Sequence, residues 1–163
     1  EITALKNALG HVGGDDNQLN LLFSLGAAYE QSGQVPEAES TFEEIIARSP
    51  DYAPALNYLG YMLADRGERL DYARKLIEKA VEVKPDNPAY LDSYGWVLYR
   101  LGNFKDALKQ LKKAVSLDSD PTIFDHLGDT YKALGNLSDA RVWWQKALEL
   151  SPDDPQLKEK LGN

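Results

Sequence analysis

A repeat of about 34 residues runs through this chain, and a period of that length decides the architecture before any motif is weighed. Gly26, Gly60, Gly95 and Gly128 stand 34, 35 and 33 residues apart, and Gly33, Gly67, Gly102 and Gly135 each follow seven residues later. Apolar columns keep the same step: Leu22, Leu56, Leu91 and Phe124, then Leu25, Leu59, Tyr94 and Leu127, then Tyr29, Leu63, Leu98 and Tyr131. Further along come Ala38, Ala73, Ala107 and Ala140, followed by Phe42, Ile77, Leu111 and Trp144. Within a unit the apolar positions lie three and four apart, which predicts two amphipathic helices, A and B, of about 14 residues each.

The two glycine rows need different reasons. A glycine just past the last periodic residue takes the left-handed conformation that closes a helix, which accounts for Gly33 to Gly135. Gly26 to Gly128 lie inside helix A, where each costs roughly 1 kcal/mol relative to alanine. Four such costs in register predict a neighbouring helix too close for a Cβ. All eight prolines fall at element edges, so none breaks a predicted helix.

These columns resemble the tetratricopeptide repeat, whose pattern runs Trp/Leu, Leu-Gly, Tyr, Gly, Ala, Phe, Ala, Pro over about 34 residues. The likeness divides the chain into four units at 19–52, 53–87, 88–120 and 121–154. Residues 1–18 read as the end of a preceding B helix plus a linker, and 155–163 as a capping helix or the start of a fifth repeat. The expectation is a fragment of a longer array. The resemblance implies an all-α, right-handed superhelical solenoid of antiparallel helix pairs, whose A helices line a concave groove that takes peptides or partner segments. An extra residue in the turn at Glu68, Arg69 and Leu70 is read as a neutral insertion.

Composition removes several function classes. With no cysteine the chain has no disulfide, thiolate metal site or cysteine nucleophile. A net charge of −8 argues against a nucleic-acid partner, which ordinarily leaves a basic footprint. No apolar run approaches a membrane span, so no direct membrane insertion is expected. Phosphate-binding, dinucleotide and hydrolase motifs are absent. Asp125, His126 and Asp129 are the sharpest catalytic or metal candidates, but the two carboxylates read better as a solvated helix face. His126, one residue on, is expected about 100° away from that face. The sequence therefore predicts no enzyme, no cofactor and no metal.

What remains is the stripe of helix A one step after the core columns. It carries Phe23 in the first unit and Asn57 and Tyr61 in the second. Asp92, Trp96, Tyr99 and Arg100 follow in the third, and Asp125, Asp129 and Lys132 in the fourth. Aromatics with a polar edge are common anchors of recognition surfaces. The stripe predicts a non-catalytic scaffold or adaptor that binds a protein or peptide with an apolar anchor and basic residues. Chaperone-binding members of the resembled family clamp an acidic tail with Lys, Asn and Arg, but the corresponding positions here are Phe23, Ala27, Ala89 and Ser93. A rival reading is a self-assembling spacer module, or homo-oligomer, joined through Lys105, Lys109, Lys112 and Lys113 against Glu37, Glu39, Glu43 and Glu44. Trp143 is expected to point outward. The stretches 56–66 and 90–102 look like those of bacterial repeat proteins, several of which are adaptors in the cell envelope. The resemblance leaves the compartment open between the envelope and the cytoplasm.

Overall fold

The computed structural model describes residues 1–11 and 13–162. Residues 12 and 163, which belong to the two expected end pieces, lie outside the described residues. A short helix α1 (Ile2–Leu9) precedes four helix pairs: α2 (Asp15–Gln31) with α3 (Val35–Arg48), and α4 (Ala53–Arg66) with α5 (Leu70–Val83). The others are α6 (Pro88–Arg100) with α7 (Phe104–Leu117), and α8 (Pro121–Ala133) with α9 (Leu137–Leu150). Helix α10 (Pro155–Leu161) follows, and no strand occurs among the described residues. Each pair packs as an A–B hairpin, α4 lies against α6 and α6 against α8, so the molecule is an all-α solenoid.

The inner glycine row is the seam of each hairpin. A Cβ on Gly26 would sit 2.8 Å from the Phe42 ring, one on Gly60 2.5 Å from Ile77 Cγ1, and one on Gly95 2.5 Å from Leu111 Cγ. At Gly128 the same atom would enter the Trp144 indole. Phe42, Ile77, Leu111 and Trp144 are at most 1% exposed. Each unit thus buries one large B-helix side chain against bare A-helix backbone.

Helix A then stops at the outer glycine. Gly33, Gly67, Gly102 and Gly135 have φ of 75°, 71°, 80° and 82°. Beyond them the amides of Gln34, Glu68, Asn103 and Asn136 donate back to the carbonyls of Tyr29, Leu63, Leu98 and Tyr131 at 2.8 to 2.9 Å. This six-to-one bond satisfies a carbonyl the helix leaves open. Of the turn carboxylates, Asp120 and Asp154 cap the next A helix through the amides of Thr122, Gln156 and Leu157. Asp51 and Asp86 instead reach Lys79 and Lys113 at 3.0 Å.

The extra turn residue is more than slack. Arg69 adopts a left-handed φ of 47°, and its guanidinium contacts Glu39 and Glu43 of α3 and lies 4.4 Å from the Tyr72 ring. Trp143, expected outside, is half-buried with its ring 5.5 Å from Phe124. It covers the seam between α8 and α9, because its neighbour Trp144 has taken the hairpin interior.

Gly95→Ala or Gly128→Ala is expected to lower stability by about 1–3 kcal/mol through overpacking, although alanine is the better helix former. Gly102→Ala adds a Cβ that meets nothing within 4 Å, so only its left-handed backbone is penalised, by about 1–2 kcal/mol. Urea unfolding midpoints of the three variants provide the measurement.

Candidate functional site

Because α4, α6 and α8 lie side by side, residues one step beyond their core columns meet on the inner face. There the Trp96 ring stacks on Tyr99 at 5.0 Å between centroids and, on its other side, on His126 at 4.2 Å. Tyr61 stands 6.4 Å from the same imidazole. Arg100 extends the column: its guanidinium lies 5.6 Å from the Trp96 ring and its Nη1 donates to the carbonyl of Asp65. Tyr61, Trp96, Tyr99 and Arg100 therefore come together.

His126 is the member that sequence reasoning missed. Its Nδ1 lies 2.9 and 3.1 Å from the two oxygens of Asp92, and both residues are buried. Asp92, a stripe residue of the third unit, is therefore paired within the chain. Neighbouring A helices are offset so that the residue preceding the core leucine of one helix faces the stripe residue of the helix before. That offset places His126 opposite Asp92, 34 residues earlier. Burial alone lowers the imidazole pKa, but the Asp92 charge and hydrogen bond, helped by Asp125 and Asp129, carry it above the usual histidine value.

Asp125 and Asp129 are not a solvated face either. Lys160 of α10 donates to Asp125 at 2.6 Å and to Asp129 at 3.0 Å, and Trp144 Nε1 donates to Asp129 at 3.1 Å. Burial raises the Asp125 pKa; the Lys160 hydrogen bond opposes this and the Asp129 charge adds to it. For Lys160, burial works against the cation, yet the two carboxylates hold its pKa above the ordinary lysine value. Leu157, 2% exposed, seats α10 beside this bridge. Lys132 is exposed, 5.7 Å from the Trp144 ring.

Phe23 and Asn57 occupy the earlier end of the stripe. Phe23 does not stand free: it meets Phe42 and Tyr58 edge-on at 5.6 Å and Tyr52 at 6.3 Å, filling the space between α2 and α4. Asn57 faces a cleft of about 290 Å³ between α4, α6 and α8. Its Oδ1 and Trp96 Nε1 are buried side-chain atoms without a hydrogen-bond partner among the described residues.

Three models of tetratricopeptide repeats match this sequence, over residues 23–88, 88–121 and 128–163. The chain belongs to the tetratricopeptide repeat family. Such repeats are in general protein–protein interaction scaffolds without catalytic activity. A TPR repeat-containing protein of Pseudomonas aeruginosa, PA4667, is 44% identical over 111 residues, 68% of this chain and 19% of that protein. The chain spans less than a fifth of the curated relatives it matches, 19% and 17% of their lengths. A thermophilic TPR protein of Thermus thermophilus superposes with a TM-score of 0.81 at 25% identity, covering 99% of this chain and 87% of that one. Pseudomonas aeruginosa PilF superposes at 0.80 with 22% identity, covering 91% and 68%.

In this tetratricopeptide array the Asp92–His126 pair gives stability a pH dependence of definite sign. Because the folded-state pKa of His126 is raised, its contribution is complete below about pH 6.5 and is lost as pH rises through the folded value. His126→Gln is expected to flatten this fall. Urea midpoints of both proteins between about pH 6 and pH 9 provide the test.

Proposed function

We propose that this segment is a non-catalytic scaffold whose concave face binds an extended or helical segment of a partner protein. The supporting observation is the column of Tyr61, Trp96, Tyr99 and Arg100, an aromatic surface that the hairpin seams do not require. A stacked, half-buried indole is suited to an apolar anchor. Asp92 beside it is held by His126, while Asp125 and Asp129 share a single lysine, an excess of negative charge that favours basic residues in the partner. These carboxylates are engaged by His126 and Lys160, which favours recognition over acid–base chemistry. No helix among the described residues is long and apolar enough to cross a membrane.

A second reading, self-association, has its own observation. Leu137, Val142 and Leu150 of α9 are 50% to 52% exposed at the end of the last hairpin. The charged outer faces support it less, since Glu39 and Glu43 are paired with Arg69, and Lys113 with Asp86. Sedimentation at several concentrations separates the readings, because a constant monomeric mass counts against assembly.

The groove reading expects Trp96→Ala combined with Tyr99→Ala to weaken a partner captured by affinity by at least about 30-fold, as truncation of central aromatic anchors does. Lys109→Ala on the outer face is expected to leave affinity unchanged. Calorimetry on variants with wild-type helical content measures this, and undiminished affinity in the double variant overturns the reading.

A further inference from the structure

The inner face carries a regular set of rungs between successive units. In each, the side chain preceding the core residue of one A helix reaches back to the stripe residue of the A helix before it. Tyr58 meets Phe23 at 5.6 Å, His126 binds Asp92 across 34 residues, and Lys160 binds Asp125 across 35. At the second-to-third junction the same positions are Ser93 and Asn57. Ser93 is too short to cross and turns its hydroxyl onto the carbonyl of Ala89 at 3.0 Å. The rung is left open as the cleft described above, with the buried Asn57 Oδ1 lacking a partner among the described residues.

We propose that this open rung is a specificity pocket for a Lys or Arg side chain of the partner segment. The proposal rests on the groove reading and names what the groove selects. Three features point to a cation on a long apolar stem. The orphaned atom is an acceptor and calls for an N–H donor. The walls are Tyr58, Tyr61 and Ile123, against which a methylene stem packs. Asp118 and Asp120 also line the cleft and favour positive charge there, while the third carboxylate, Asp92, is already held by His126. The two later rungs show related chemistry made internally, the His126 imidazole or the Lys160 ammonium of one helix set on a carboxylate of the helix before. The partner's cation would complete the ladder where the chain itself supplies only a serine.

The test is an NMR titration of the labelled chain with N-acetyl-lysine amide, and in parallel with N-acetyl-norleucine amide, which keeps the four-carbon stem and lacks the ammonium. Lysine amide is expected to shift the resonances of Asn57, Ser93 and Ile123 with at least a tenfold stronger response than norleucine amide, and added salt is expected to weaken it. Ser93→Lys, which fills the rung from within, and Asn57→Leu, which removes the acceptor, are each expected to abolish the shifts. Norleucine amide binding as well as lysine amide, no shift with lysine amide, or an unaltered response in folded Ser93→Lys overturns the proposal. If the Trp96 and Tyr99 variant still loses its partner in that event, the groove reading stands and only the cation pocket falls. If lysine amide binds while that variant keeps its partner, the pocket stands and the aromatic groove reading falls.

Discussion

Everything on the inner face depends on how closely the two helices of a hairpin approach. Bare backbone at Gly26, Gly60, Gly95 and Gly128 lets Phe42, Ile77, Leu111 and Trp144 lie where a Cβ would otherwise stand. That approach buries a large side chain almost completely, which outweighs the roughly 1 kcal/mol that glycine costs inside a helix. It also fixes the rotation of each A helix. With its core columns turned into the seam, the residues one step on are committed to the face where successive A helices meet. A shift in that rotation would carry the aromatic column and the carboxylates out of register together.

The same geometry explains why the rungs differ while their positions do not. Successive A helices sit at a constant offset, so the pair of residues that meets at each junction is set by the repeat. What fills it is free to vary: an aromatic contact first, a gap second, and buried or half-buried ion pairs third and fourth. Broken ion pairs of this kind are costly because one charge is left in a poorly solvated site. The third and fourth units are accordingly stiffened by polar contacts in addition to apolar packing. The polar gap lies between the aromatic end and the ionic end of the array.

The period, the hairpins and both glycine rows were legible because each is a statement about one helix against its nearest neighbour, and four copies made the signal plain. That Tyr61, Trp96 and Tyr99 share a face follows from helical spacing within α4 and α6, without any repetition of the aromatics through the four units. The state of the carboxylates was not legible. Asp125 and Asp129 read as a solvated face because Lys160, which binds both, follows the unit, and a helical wheel drawn for α8 alone places His126 away from its acidic neighbours while hiding its contact with Asp92. The missing signal was the 34-residue column of Ser24, Tyr58, Ser93 and His126, continued by Lys160, in which the long polar members stand one unit after an acidic stripe residue. Phe23 lies on the stripe but is enclosed by Tyr52, at the junction of the first two units, and by Tyr58 of the second, a contact that helical spacing within α2 does not reveal.

Charge on the inner face therefore acts over short distances. Much of the net −8 lies in turn aspartates, of which Asp51 and Asp86 are exposed, so that each pair with Lys79 or Lys113 is worth little. Fields from those turns fade within about 8–10 Å at ordinary ionic strength. On the concave side, one lysine is shared between Asp125 and Asp129, leaving an excess carboxylate in a half-buried setting where screening is weaker. On the proposed groove reading, a basic partner is discriminated after it has entered the groove rather than while it approaches. Under the proposed cation pocket, register along the array follows from which rung accepts the cation.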